Sequence, residues 1–217
     1  SGAYLSNLSI RSNAGSGPQT LIVGVSVGGT GTSGTKNILI RGVGPTLSAF
    51  GLTGVLADPQ PTVYNGQTTA ASNDNWSATA TPVATQRSVG AFALTPGSKD
   101  AALIGAGVPA GSYSVQITVV GGTTGHALAE LYDLTPASSF TATTPRLNNI
   151  SARTQVGTGG DILITGFNVS GTGTRRLLIR AVGPTLAAFG VTGTLADPQL
   201  AVYSGQTVVA SNNDWNA

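Results

Sequence analysis

Two glycine-rich stretches near the start of this chain have the spacing of chemical motifs. Gly24-Val25-Ser26-Val27-Gly28 fits G-x-S-x-G, the elbow that holds a nucleophilic serine on a sharp strand-to-helix turn. Gly29-Thr30-Gly31-Thr32-Ser33-Gly34 fits G-x-G-x-x-G, which cradles a pyrophosphate where a strand gives way to a helix. Both chemistries need a helix next, and the sequence offers none. Ser26 sits inside the alternating run Leu21–Val27, and the segment after the glycines, Asn37-Ile38-Leu39-Ile40, again reads as a strand. The first motif recurs later with Asn168 in place of Ser26. One histidine (His126), one glutamate (Glu130) and no cysteine leave few groups for acid–base or nucleophilic work. The sequence predicts no catalytic residue, no cofactor and no enzyme.

Oxygen ligands offer a second chemistry. Asp58 before Pro59, and Asp74 within Asn73-Asp74-Asn75, have copies at Asp197 and Asp214. Loops rich in carboxylates and amides suit Ca2+, so these four aspartates are the candidate calcium ligands. Such residues equally serve turns by bonding their own backbone. The order Asp-Asn also becomes Asn-Asp in the copy. Trp76 and Trp215 are candidates for stacking on a glycan or for a contact between copies. A tryptophan closing a strand against the core is the plainer alternative. Lys36 and Lys99 raise the idea of a Lys–Asn isopeptide cross-link, which needs a buried lysine beside the amide and a catalytic carboxylate. Arg175 replaces Lys36 in the copy, and a solvated lysine is expected instead. Arg41 and Arg180 end apolar strand segments, where a charge has to be paired. Asp58 is the predicted structural partner of Arg41, with backbone carbonyls as the alternative.

The elements that must position these residues are repeated. Residues 41–76, RGVGPTLSAFGLTGVLADPQPTVYNGQTTAASNDNW, return at 180–215 as RAVGPTLAAFGVTGTLADPQLAVYSGQTVVASNNDW. The spacing is 139 residues from Arg41 to Arg180, and 142 residues from Leu5 to Leu147 further upstream. Repetition at a fixed period marks an array of one structural unit. It argues for building or spacing rather than for a single dedicated active site.

Composition narrows the class. Charged residues make up 8% of the chain, against ~25% in an ordinary globular domain. The apolar fraction of 40% is ample for a core, so the surface must be wetted by hydroxyls and backbone. The net charge is +2 and the basic residues are scattered, which argues against nucleic acid as a partner. No apolar run approaches the ~18 residues of a membrane span. The absence of cysteine excludes a disulfide framework.

Periodicity of two dominates. Leu21, Val23, Val25 and Val27 alternate with Ile22, Gly24 and Ser26, as do Tyr113, Val115, Ile117 and Val119 with their neighbours, which is the pattern of a half-buried strand. Further strands are predicted at Leu5–Arg11, Asn37–Val43, Pro61–Tyr64, Thr68–Ser72, Ala91–Leu94, Ala101–Ala106 and His126–Leu134. Gly44–Gly51 allows a turn or two of helix, with Pro45 at its start and Gly51 at its end. Leu47 and Phe50 would then plug one end of the core. The expected fold class is all-β, as tandem β-sandwich or jelly-roll repeats of about 140 residues with the second copy incomplete. Residues 1–135 form the complete repeat, 136–146 a linker, and 147–217 the first half of a second repeat. That half lacks counterparts of Ala91–Leu134, so its apolar face and strand edges need covering.

The strings LIRGVGPTL, FGLTG, LADP and SNDNW, and then GSKDAALIGAGVPAGSYSVQITVVGGTTGHALAELYDL, resemble repeats of large secreted bacterial surface proteins. The second is also similar to pre-peptidase C-terminal β-sandwich domains. The resemblance implies an extracellular or cell-surface, non-catalytic module, and such domains sometimes bind calcium or polysaccharide. The sequence thus predicts a structural protein, a subunit or fragment of a filament or array that self-associates by strand or domain complementation. An adhesive or carbohydrate-binding module of a larger secreted protein is the alternative.

Overall fold

The structure, a computed structural model, describes residues 2–215. It is mostly antiparallel β-strand, as the two-residue periodicity demands. Two compact units appear, Ser1–Arg175 and Arg176–Ala217.

The first unit holds ten strands: β1 (Tyr4–Ala14), β2 (Leu21–Gly28), β3 (Thr35–Val43), β4 (Pro59–Asn65), β5 (Thr68–Ser72), β6 (Ala101–Pro109), β7 (Gly111–Val119), β8 (Gly125–Asp133), β9 (Arg146–Arg153) and β10 (Ile164–Ser170). They pair in the order β5-β4-β7-β2-β9-β1-β8-β3-β6, with β10 also on β1. The step from β9 to β1 rests on one residue pair, Leu5 with Leu147. There the sheet folds over into two layers, giving a nearly closed, barrel-like sandwich. Leu21, Val23 and Val25 of β2 and Val115 and Ile117 of β7 share one core with Ile10 of β1, Ile40 of β3 and Leu131 of β8. A Cβ added to Gly42 on β3 would stand 3.4 Å from Ile117 Cδ1 on β7, so the layers meet closely there.

Most predicted strands lie where the alternation puts them, and Thr68–Ser72 has the predicted bounds. Ala91–Leu94 does not form a strand. Its buried Ala91 and Leu94 sit on irregular chain after a six-residue helix, α1 (Val83–Ser88), too short to show a helical period. Pro45–Phe50 is a 3-10 helix closed by Gly51 at φ +81, a left-handed cap that glycine adopts freely. Leu47 is buried beneath it, but Phe50 is 65% exposed, its edge against Phe92 with ring centres 5.0 Å apart. The segment 136–146 is pinned in place. Phe140 is buried and stacks on Tyr4 with ring centres 3.7 Å apart.

The second unit contains a 3-10 helix (Pro184–Phe189) and one hairpin, β11 (Leu200–Ser204) with β12 (Thr207–Asn212). Residues 177–182, the copy of the β3 core, form no strand.

Candidate functional site

Three networks of buried charge organise the first unit, around Arg41 and Lys36 on β3 and around Asp100 just before β6. Arg41 on β3 lies directly opposite Glu130 on β8. Its Nε donates to Glu130 Oε2 at 2.8 Å, and its Nη1 donates to Gln86 Oε1 at 2.9 Å and to the Phe92 carbonyl at 2.6 Å. Nη2 sits 2.7 Å from the same Glu130 oxygen without an aligned hydrogen bond. The Phe92 ring lies 4.4 Å from the guanidinium carbon, a cation–π contact. Arg41 is fully buried, and a charge there is tolerable only with such partners. Tyr132 donates to Glu130 Oε1 at 2.7 Å. Burial, then the Glu130 charge and that hydrogen bond, push its phenol far above the usual tyrosine range. The predicted Arg41–Asp58 pair is therefore corrected. Arg41 takes Glu130 and a backbone carbonyl, while Asp58 takes Lys99 at 2.5 Å. Cross-strand register, invisible in the sequence, decides the matter. Asp58 holds the Lys99 ammonium above its ordinary value, by hydrogen bonding first and then by charge.

Lys36 is the second departure from expectation. It is buried rather than solvated, with Nζ 2.7 Å from Asp133 Oδ2 and 3.0 Å from Thr135 Oγ1. Its Nζ also lies 5.0 Å from the Phe140 ring centre. Tyr4 sits in the same corner, its phenol raised by burial first and by the Asp133 charge second. Asp100 is the third buried group, and sequence reasoning passed over it. Its carboxylate accepts from the Gly44 amide at 2.7 Å, from the Thr46 amide and hydroxyl, and from Ser98 Oγ at 2.6 Å. It fastens the start of the Pro45–Phe50 helix. A Cβ on Gly44 would strike the Leu56 carbonyl oxygen, so that approach admits only glycine.

The remaining candidates do not converge. Ser26 lies within β2 and shares a hydrogen bond with Ser112 Oγ at 3.2 Å. The loop Gly29–Gly34 joins two strands, β2 and β3. Among the described residues no three His, Cys, Asp or Glu side chains gather as a metal site. Asp74 accepts from its neighbour Asn75 at 3.1 Å, and Asp214 from Asn213 at 3.3 Å. Asp197 is exposed. A shallow cleft of about 370 Å3 in the first unit is lined by Leu47, Phe50, Leu52, Leu128 and Ile164, with Arg11 beside them. It holds no carboxylate or imidazole for proton transfer. Among the described residues no helix is long and apolar enough to cross a membrane.

Two surfaces remain, both made of repeated sequence. One is the set of strands β9 and β10, which belong by sequence to the second copy and by structure to the first unit. β9 pairs with β2, and β10 pairs with β1. The other is the second unit. Leu178, Phe189, Tyr203, Val208, Val209 and Trp215 are exposed there. In the first copy Trp76 packs with Val43, Leu47, Leu94 and Ala102, and its Nε1 donates to Ser98 Oγ at 3.3 Å. Its copy Trp215 is 80% exposed.

Compared with family models, curated proteins and solved structures, the chain finds no match.

Proposed function

We propose that this protein is a structural component of the cell exterior, built from β-sandwich repeats and joined into a filament or array by strand and domain complementation. The observation that carries this reading is one sequence in two burial states. Leu39 is fully buried between strands β6 and β8, while its copy Leu178 is 86% exposed. Strands β6 and β8 flank β3 in the first copy, and among the described residues no strand flanks residues 177–182. A neighbouring copy that supplies such strands would satisfy the second unit by main-chain hydrogen bonds, with alternate side chains setting the register. Low charge and the absence of cysteine suit a packed extracellular polymer wetted by hydroxyls. The calcium contact considered above has no comparable support, since among the described residues the aspartates do not gather into a site.

Negative-stain electron microscopy of the purified chain at neutral pH tests the proposal. Regular filaments or sheets that lengthen with concentration are expected. Dispersed particles at every concentration would overturn it.

A further inference from the structure

The junction between the two copies has a symmetry of its own. Leu5 on β1 pairs with Val169 on β10, and the corresponding Leu147 on β9 pairs with Val27 on β2. Leu8 pairs with Phe167, and Ile150 with Val25; Ser9 pairs with Gly166, and Ser151 with Gly24. Arg11 pairs with Ile164, and Arg153 with Ile22. Exchanging each residue for its copy turns one ladder into the other without a shift. The register break falls at the same place in both, after Leu5 in one and opposite it, between Ser26 and Val27, in the other. Leu5 pairs with its own copy Leu147, which places them where a two-fold axis would cross. The small residues also match. A Cβ on Gly24 would stand 2.6 Å from Ser151 Oγ, and one on Gly166 would stand 4.0 Å from Ser9 Cβ.

A surface in which i meets j and j meets i is isologous, the arrangement of a two-fold dimer. Here it lies within one chain. Nothing in the pairing depends on the covalent connection, because all of the recognition is between β1–β2 and its copy β9–β10. We infer that the β1–β2 pair is a self-complementary docking surface, and that the partner it fits is the same strand pair of a second copy, on the same chain or on another one. Two chains can then exchange β9–β10 reciprocally, each closing the other's sandwich. The exchange costs little, because the strand pairing given up within each chain re-forms between the two chains. The short connection through Phe140 favours closure within the chain at low concentration, by effective concentration. This surface is distinct from the exposed face of the second unit, and it stands or falls separately from filament formation.

The chain has no native cysteine, so engineered ones report cleanly. A Leu5→Cys/Leu147→Cys chain tests the register, since paired strand residues lie within disulfide reach. It is expected to oxidise to an intrachain bond. Single Leu5→Cys and Leu147→Cys chains are then mixed, warmed to the onset of unfolding at high concentration, cooled and oxidised. The expected product is a covalent 5–147 heterodimer at twice the 21.5 kDa chain mass. Its yield should be about tenfold or more above that of the same mixture annealed dilute. Failure of the double variant to close overturns the register. Closure of the double variant with no heterodimer from the mixture overturns exchange between chains. Heterodimers without filaments leave this inference standing and remove the filament reading.

Discussion

Leu39 and Leu178, Arg41 and Arg180, Leu56 and Leu195, Trp76 and Trp215 are the same residues in two copies of one sequence. In the first copy Leu39, Arg41 and Leu56 are fully buried and Trp76 is packed; in the second all four counterparts are exposed. The two copies nevertheless agree wherever structure is set locally. Pro45–Phe50 and Pro184–Phe189 are both 3-10 helices, capped by Gly51 at φ +81 and Gly190 at φ +79. The hairpins β4–β5 and β11–β12 share one register, including the irregularity at Val63/Tyr64 and Val202/Tyr203. They part where structure depends on distant chain. β3 exists because β6 and β8 flank it, and residues 177–182, without such flanks, form no strand. Turn chemistry and capping travel with the sequence, while a strand is a property of its neighbours.

The sharpest way to break the comparison is to remove the same arginine from each copy. Arg41→Ala leaves Glu130 buried and unpaired and should cost about 3–5 kcal/mol. Arg180→Ala, on an exposed residue, should stay within about 0.5 kcal/mol. Denaturant melts of the two variants measure both, and equal losses would dissolve the distinction. Leucine gives the apolar version. Leu39→Ala should cost about 2–5 kcal/mol through the cavity it opens. Leu178→Ala should leave the melt unchanged and instead weaken association in sedimentation experiments.

Asp100→Asn asks whether the Pro45–Phe50 helix needs its carboxylate acceptor. The loss should be about 1–3 kcal/mol, from weakened bonds to buried Gly44 and Thr46 groups. The helix itself should persist in hydrogen exchange, because its copy Pro184–Phe189 is a 3-10 helix of the same length and cap. The smallest effect is a pH dependence confined to the first unit. The folded state holds the Tyr132 proton more tightly than the unfolded chain does. This contribution is therefore complete below the ordinary tyrosine value of ~10 and is lost as pH rises through the folded value. Tyr132→Phe should flatten the alkaline limb of the stability curve.

Much of the fold was legible, because alternation such as that of Leu21–Val27 reports one buried face directly. The internal copy was legible as well, and with it the expectation of an incompletely covered region. The partners were not. Arg41 with Glu130, Lys36 with Asp133 and Asp100 with Gly44 are brought together by ladders spanning tens of residues, and no local signal encodes the register. Ala91–Leu94 was misjudged because burial without a ladder resembles a strand in sequence. The exchange of β9 and β10 into the first unit could not be read either, since copied strands carry equal claims on both units.

Trp215 offers the most direct test of the central claim, that the second unit is a docking face of the same kind as the one covered in the first. In a Trp76→Phe chain it is the only tryptophan, and its emission can be followed as concentration rises. The account predicts solvent-exposed emission in dilute solution and a blue shift that tracks association. An emission maximum that stays at the solvent-exposed position while the chain associates, or a chain that never associates, would contradict it.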